Sequence, residues 1–264
     1  MSILRWAEFK AKVGQHIPKE RRFSAKTEMG FSRSLFRGHA SNKWILDTTL
    51  ERRIKGGMSL AGYMQLCGSA RRYMGNYLPS SLSFDENLSP TYKALWTGFP
   101  NFEYLAFLRH HGFPSPFLDW TESPYVAAFF ALREPPNDGA TAARVYLYIS
   151  DAGEGRGYCS SSPHILVQGP FASIHERHAI QQCWYTIAIR EEGDDCIICS
   201  HQEALSISQG SGQLQDLVTS FDISLEDREE ALSDLYSMNI SAYTLFRSLD
   251  SLIETTSHRL LPQK

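Results

Sequence analysis

Hydrophobic residues recur at helical spacing in several parts of the chain. Trp6, Phe9 and Val13 predict a short amphipathic helix near the N-terminus. A second helix is predicted over 60–77, which has few helix breakers, and a loop rich in Ser, Pro and Asn over 78–100. Further helices are predicted over 102–111, 123–132, 224–238 and 242–258. Their ends are marked by Gly112, by the pair Ser123-Pro124 and by the capping sequence that begins at Ser224.

Shorter segments carry the pattern of β-strands. Residues 31–37 partly alternate apolar and polar side chains, and Gly38 stands where the chain is expected to turn out of this strand. Apolar runs predict further strands over 144–149, 165–167, 184–189 and 196–199. Strands and helices are mixed without strict alternation, which predicts the α+β class. The 264 residues contain no clear linker. We therefore expect one domain over 1–264, with an N-terminal helical extension over 1–25 and C-terminal helices over 224–264 packed on the core.

The overall charge argues against non-specific binding of nucleic acid. The formal net charge is −3, so the chain has no global positive field, and a nucleic-acid substrate would need a local basic patch. The pairs Arg52-Arg53 and Arg71-Arg72, the latter near two tyrosines, are candidates, although a solvated helix face is the favoured reading. Five cysteines without a disulfide-like framework, no long apolar run and no secretory signal lead us to expect a cytosolic protein without a membrane partner.

The segment from Leu108 to Ala131 contains the densest group of candidate catalytic and binding residues. Asp119 is suited to act as a base, to orient a histidine or arginine, or to cap a turn. His110 and His111 are adjacent on a predicted helix, so at most one of them should face a site, and either is open to a purely structural role. Thr121 and Ser123 flank a helix start, which is a ready anion site or a simple cap.

Two other sets of residues are candidates for ligand binding. Arg37, at the end of a predicted strand, is suited to hold a phosphate or carboxylate that Gly38 would allow to approach closely, or to form a structural salt bridge. Cys196, Cys199 and His201 suggest zinc, but residues three apart on a strand point to opposite faces, so we expect an apolar strand and no metal.

The sequence resembles the FRG-domain family. The resemblance is carried by Phe36-Arg37-Gly38, by His110-His111-Gly112-Phe113-Pro114-Ser115, by Leu118-Asp119-Trp120-Thr121 and by the Ala/Phe-rich helix after Ser123-Pro124. Arg177 with Gln181-Gln182 resembles a later element of the family, and the segment from Leu235 resembles its C-terminal part. A tyrosine is usual where His111 stands, and an arginine where Pro116 stands.

FRG domains look like distant members of the ADP-ribosyltransferase superfamily. The resemblance implies a split, mostly antiparallel β core with flanking helices and a cleft for NAD⁺, without a metal. Arg37 and Gly38 would hold NAD⁺ together with His110, His111, Thr121, Ser123 and Gln181. The catalytic group would comprise Arg37, Asp119, Thr121, Gln182 and Glu176; Asp119 or Glu176 would supply the carboxylate, because glutamines stand where a late glutamate is usual.

The implied function is NAD⁺-dependent transfer of ADP-ribose to a macromolecule by an intracellular toxin of a toxin–antitoxin or anti-phage system. Positioning and electrostatics would stabilise an oxocarbenium-like ribose as nicotinamide leaves. RNA is favoured over protein as the acceptor, and an antitoxin protein is an expected partner. Two alternatives remain open: a non-catalytic module that binds an NAD-like ligand, and an NAD glycohydrolase in which water replaces the acceptor.

Overall fold

The computed structural model describes residues 2–16, 34–54, 56–88, 95, 98–150, 161–169, 176–210 and 216–261. In chain order, the strands are β1 (Ile3–Leu4), β2 (Ser34–His39), β3 (Met58–Ser59), β4 (Leu118–Thr121), β5 (Ala142–Ser150), β6 (His164–Gln168), β7 (Cys183–Glu192), β8 (Asp195–Ile198) and β9 (Asp216–Ser224). The helices are α1 (Trp6–Val13), α2 (Leu60–Met74), α3 (Phe102–His110), α4 (Pro124–Leu132), α5 (Glu176–Gln181), α6 (His201–Gly210), α7 (Arg228–Ser237), α8 (Ala242–Phe246) and α9 (Leu249–Leu260). Within these ranges no helix combines the length and the hydrophobicity needed to cross a membrane.

The strands form one open sheet in the order β1-β9-β5-β2-β4-β7-β8-β3, and β6 pairs with β7. Neighbouring strands are antiparallel except for β1 and β9, which run parallel. Tyr185 of β7 pairs with both β4 and β6, and Ile189 of β7 pairs with both β6 and β8. Therefore β4 and β8 follow one another along the same edge of β7, and β6 covers the other edge. The predicted α+β class with a mostly antiparallel sheet is confirmed.

The centre of this sheet opens between β2 and β4. These two strands share a single residue pair, Phe36 with Thr121. Beyond it, β2 continues along β5 and β4 continues along β7. Residues 37–39 of β2 and 118–120 of β4 therefore border an opening that we call the β2–β4 split.

Hydrophobic clusters cover both faces of the sheet. Helices α1, α4, α7 and α8 pack on one side of β2, β5 and β9. Helices α2 and α3 cover β7 and β8, and the apolar side of α6 covers the opposite face of the central strands. Leu35 and Phe36 alternate between two of these clusters, as the two-residue period of a strand requires.

Gly38 lies within β2 and not at a turn, so the expected strand end was wrong. A Cβ atom at Gly38 would come within 2.7 Å of the backbone nitrogen of Ala131 and closer still to the carbonyl oxygen of Ala127. Helix α4 therefore packs directly on the backbone of β2. This helix packing explains why residue 38 is a glycine. The close approach of a ligand, which the sequence suggested, is not needed to explain it.

Most predicted elements are present, but one helix is divided, and several elements, among them β4 and α5, were not predicted. The helix predicted over 242–258 is two helices, because Arg247 adopts a left-handed conformation (φ 49°) and Ser248 caps a new helix. No element was predicted over 201–223, where α6 and β9 lie. Strand β9 is hard to identify because polar residues such as Asp222, which pairs with Arg144, interrupt its apolar pattern. The N-terminal helix α1 contributes Trp6, Phe9 and Val13, all fully buried, to the core. Residues 17–25 of the predicted N-terminal extension lie outside the described part of the chain.

The contact between β2 and α4 predicts a large effect of Gly38→Ala. The methyl group must push α4 off the sheet, so we expect a loss of about 3 kcal/mol or more in the free energy of unfolding, measured by urea denaturation. Gly14→Ala is the matched control, since Gly14 has ordinary helical angles (φ −58°) and should tolerate alanine. Equal stability of the Gly38→Ala and Gly14→Ala proteins would contradict the proposed packing.

Candidate active site

Arg37 spans the β2–β4 split. Its Nη1 donates to the carbonyl oxygen of Asp119 at 2.7 Å, and its Nε donates to Nε2 of His39 at 3.1 Å. Neither partner is a charged group at neutral pH, and among the described residues no carboxylate forms an ion pair with Arg37. Burial lowers the pKa of Arg37 to about 10; the charge of Asp119 raises it, while Arg109 and Arg52 lower it further. The guanidinium is thus a half-buried cation with no directly paired anion.

The carboxylate of Asp119 forms an ion pair with a different arginine, Arg109. Nε and Nη2 of Arg109 donate to the two carboxylate oxygens, the second at 2.5 Å. The side chain of Arg109 is only 8% exposed, whereas that of Asp119 is 42% exposed. Desolvation raises the pKa of Asp119, but the charge and hydrogen bonds of Arg109, together with Arg37, outweigh it and hold the pKa below its usual range. The carboxylate therefore remains ionised at neutral pH and keeps an accessible edge.

Two histidines and a tyrosine meet beside this pair, and we call them the His110–His178–Tyr185 trio. Nε2 of His110 lies 2.5 Å from Nε2 of His178 and 3.0 Å from Oη of Tyr185. The tyrosine Oη lies 2.7 Å from the same atom of His178. Tyr185 is the cross-strand neighbour of Asp119, so the pairing of β4 with β7 brings the trio next to the carboxylate.

His111 lies outside this group. It is exposed at the end of α3, where its ring packs on Phe107 at 4.3 Å between centroids. Only one of the two adjacent histidines thus enters the polar cluster, in agreement with the helical geometry expected from the sequence.

Thr121 and Ser123 hold the start of α4. The Ser123 hydroxyl accepts a hydrogen bond from the amide of Val126 at 3.2 Å, which confirms the predicted cap. The Thr121 hydroxyl donates to the carbonyl of Gln181 at 2.6 Å and accepts from the amide of Ser123 at 3.1 Å. Both hydroxyls already have partners within the protein, so the geometry favours the structural reading of the pair.

The predicted late element does not join Arg37 and Asp119. The Gln181 amide is buried and donates to the carbonyl of Leu245 at 2.9 Å. Gln182 is exposed at a left-handed turn (φ 51°), where its carbonyl accepts from the amide of Glu122 at 3.2 Å. Both residues therefore shape the turn between α5 and β7. The side chain of Glu176 lies outside the described part of the structure.

Further polar groups near Arg37 were missed by sequence reasoning. His39 and His201 are buried, and burial followed by the charge of Arg37 lowers the pKa of each to about 3. Both imidazoles are therefore neutral and add no charge to the split. Arg109 precedes His110 in the chain and offered a signal of proximity. His178, Tyr185 and His201 offered none, because they are brought to the site by the pairing of β7 with β4 and by the positions of α5 and α6 in the fold.

The zinc reading is not supported. Cys196 and Cys199 lie in different hydrophobic clusters, as expected for residues three apart on a strand. His201 instead contacts the hydroxyl of Thr186 at 3.0 Å. In the parts of the chain that the structure describes, no three His, Cys, Asp or Glu residues form a metal-binding group.

Comparison with protein families identifies the module that carries Arg37. Residues 32–139 match the family model described as the FRG domain. The chain carries an FRG domain. No curated protein and no solved structure matches the sequence. The matched segment of the FRG domain includes Arg37, Arg109, His110 and Asp119, whereas His178 and Tyr185 come from the chain that follows it.

The structure also contains a cavity of about 500 Å³. It is bordered by Leu50, Glu51, Met58, Arg190, Ile197 and Cys199, among others. None of the predicted site residues lines it, so the polar cluster at the β2–β4 split and this cavity are different places on the protein.

The ion pair between Arg109 and Asp119 predicts a pH-dependent loss of stability in Asp119→Asn. Removing the carboxylate leaves Arg109 buried without a counter-charge; because Asp119 is partly exposed, we expect about 2 kcal/mol, less than for a fully buried pair. The pKa of Asp119 is depressed in the folded state, so its contribution is present above the unfolded-state pKa and is lost as the pH falls through the folded one. The difference between wild type and variant should therefore shrink below about pH 4.

Urea denaturation at pH 7 and at low pH measures this difference. Glu86→Gln is the matched control, because the Arg72–Glu86 pair has both side chains more than half exposed and should contribute less than about 1 kcal/mol. An Asp119→Asn protein with wild-type stability at pH 7 would show that Arg109 does not depend on this carboxylate.

Proposed function

We propose that this FRG-domain protein is an NAD⁺-dependent ADP-ribosyltransferase that acts as an intracellular toxin in a toxin–antitoxin or anti-phage system. One observation carries the proposal: Arg37 is a half-buried cation at the opening of a split antiparallel sheet, and no described carboxylate pairs with it. A cation held in this way is suited to bind an anionic substrate. The NAD⁺ pyrophosphate is such an anion.

The charges around Arg37 favour the pyrophosphate. Arg37, Arg52 and Arg109 supply three positive charges near the split, and Asp119 supplies one negative charge. The neutral imidazoles of His39 and His201 surround Arg37 without competing for an anion. The pyrophosphate, which carries one negative charge on each of its two phosphates, would offset the excess and would restore the pKa of Arg37 toward its usual value.

Asp119 is the carboxylate best suited to the chemistry. Loss of nicotinamide leaves positive charge on the ribose, and a fixed negative group nearby lowers the barrier. Asp119 is ionised, accessible and held in one orientation by two hydrogen bonds from Arg109. Thr121 and Ser123 contribute by fixing the start of α4, and through it the position of β2. By resemblance to related toxins, the acceptor is a macromolecule, with RNA favoured over protein, and an antitoxin protein is the expected partner.

One observation favours the alternatives. Gln181 uses its amide to hold α8, and Gln182 is exposed, so neither replaces the glutamate that such enzymes carry on a late strand. A protein that lacks this group would bind an NAD-like ligand without transferring it, or would hydrolyse NAD⁺ with water as the acceptor.

The proposal predicts that Arg37→Gln abolishes the activity. NAD⁺ labelled in the adenylate is incubated with the protein and with separate pools of RNA, DNA and protein. Loss of the charged hydrogen bonds from Arg37 should weaken NAD⁺ binding and labelling by roughly 10- to 100-fold or more. Arg72→Gln is the matched control, since Arg72 lies on the surface with Glu86, and it should label normally.

The same assay separates the alternatives. Free ADP-ribose without a labelled pool would indicate a glycohydrolase, and NAD⁺ binding without release of nicotinamide would indicate a binding module. The proposed function would be refuted by a folded wild-type protein that neither binds NAD⁺ nor turns it over.

A further inference from the structure

The loop that follows β2 carries an exposed tryptophan. Trp44 is 44% exposed and Ile45 is 54% exposed, whereas Leu46 is buried in the core. Both backbone polar groups of Trp44 have partners: its amide donates to the carbonyl oxygen of Ser41 at 3.3 Å, and its carbonyl oxygen accepts from Oη of Tyr146 at 2.9 Å. A loop held by the sheet thus carries a large aromatic side chain that faces solvent.

Two buried rings connect Trp44 to Arg37. The ring of Trp44 lies 6.2 Å from that of His39 between centroids, and the ring of His39 lies 5.2 Å from that of Tyr146. His39 and Tyr146 are each only 8% exposed. Nε2 of His39 accepts the hydrogen bond from Nε of Arg37 at 3.1 Å. The rings of His39, Tyr146 and Trp44, which we call the Trp44 corner, therefore extend from the guanidinium of Arg37 to the surface.

The Trp44 corner is aromatic and uncharged. Burial, and after it the charge of Arg37, lowers the pKa of His39 to about 3, so this imidazole is neutral. Hydrogen bonds from Ser41 and, more weakly, from Trp44 lower the pKa of the exposed Asp138 carboxyl. The donor in a tryptophan side chain is the indole N–H, so this contact orients the indole. An oriented aromatic face beside a cation suits a nucleobase that is joined to a phosphate, because bases stack on aromatic side chains.

Arg37 lies between two different parts of the site. Its Nη1 contacts β4 at the carbonyl oxygen of Asp119, and its Nε contacts His39 and thereby the Trp44 corner. A pyrophosphate held by Arg37 would have one nucleoside on each side. The ribose that reacts must lie near the carboxylate of Asp119, so the adenosine end is left for the side of Trp44.

We propose that Trp44 stacks on the adenine of NAD⁺, while Arg37 holds the pyrophosphate between this base and the ribose that reacts beside Asp119. This inference rests on the proposed transferase function, and it identifies the adenine subsite and the direction in which the dinucleotide lies. Stacking contributes to binding and not to bond breaking, so Trp44 is a binding residue. A base of an acceptor RNA has the same planar surface, and the experiment therefore separates these two sources.

Trp44→Ala tests the proposal through the two halves of the dinucleotide. ADP carries adenine and the pyrophosphate, whereas nicotinamide mononucleotide carries the other base. Loss of stacking should weaken binding of ADP and NAD⁺ about 5- to 150-fold in isothermal titration calorimetry and leave the affinity for nicotinamide mononucleotide within about twofold. Trp44→Phe keeps an aromatic ring and should recover most of the ADP affinity. Ile45→Ala, on the exposed neighbour in the same loop, is the matched control and should bind like wild type.

The outcomes separate this inference from the proposed function. Unchanged ADP affinity in Trp44→Ala, or a loss for nicotinamide mononucleotide as large as that for ADP, would overturn the adenine subsite and leave the transferase standing. If Trp44→Ala weakened binding of RNA and not of NAD⁺, the tryptophan would belong to the acceptor site and the proposal would also fail. A wild-type protein that binds ADP through Trp44 but neither releases nicotinamide nor labels an acceptor would refute the transferase and keep the nucleotide site. A folded wild-type protein that binds neither ADP nor NAD⁺ would refute both.

Discussion

The separation of β2 from β4 after a single residue pair determines where the side chain of Arg37 lies and how it reaches Asp119. The backbone of helix α4 packs against Gly38, and a six-residue antiparallel ladder holds β2 beside β5. Strand β4 follows β7 instead, so its outer carbonyl at Asp119 lacks a strand partner and accepts from Arg37. A side-chain cation thus takes the place of a ladder hydrogen bond. In a continuous sheet the backbone groups of β2 and β4 would form hydrogen bonds with each other. The carbonyl oxygen of Asp119 would then not need a hydrogen bond from Arg37.

The electrostatics of the site follow from this arrangement. Arg109 takes both oxygens of Asp119, which leaves Arg37 with neutral partners. Burial, and after it the charge of Arg37, lowers the pKa of His39 and of His201 and keeps both imidazoles neutral. Buried cations are costly unless they are paired. The protein offsets part of this cost with hydrogen bonds to oxygen and nitrogen lone pairs, and a bound anion would offset the rest.

Local sequence predicted the parts of the site that depend on neighbouring residues. The cap at Ser123, the helix that carries His110 and the strand that carries Arg37 follow from short patterns. The role of Gly38 was misread because a tight helix–strand contact and a ligand contact both require glycine, and only the fold distinguishes them. The partners His178 and Tyr185 could not be predicted, since they depend on the register that places Tyr185 opposite Asp119. The break at Arg247 was equally hidden, because the apolar pattern continues across it.

The division of the site along the chain has a physical consequence. Arg37, Arg109, His110 and Asp119 belong to the segment matched by the FRG-domain model, and His178 and Tyr185 belong to the chain beyond it. Strand β7 joins the two parts, because it pairs with β4 through Tyr185 and follows directly after the helix that holds His178. Arg37 and the neighbouring carboxylate of Asp119 thus come from the FRG segment, whereas the buried His178 and Tyr185 come from the later helix and strand. The two parts of the polar cluster meet only when β4 and β7 are paired, so assembly of the sheet and assembly of the cluster are the same event.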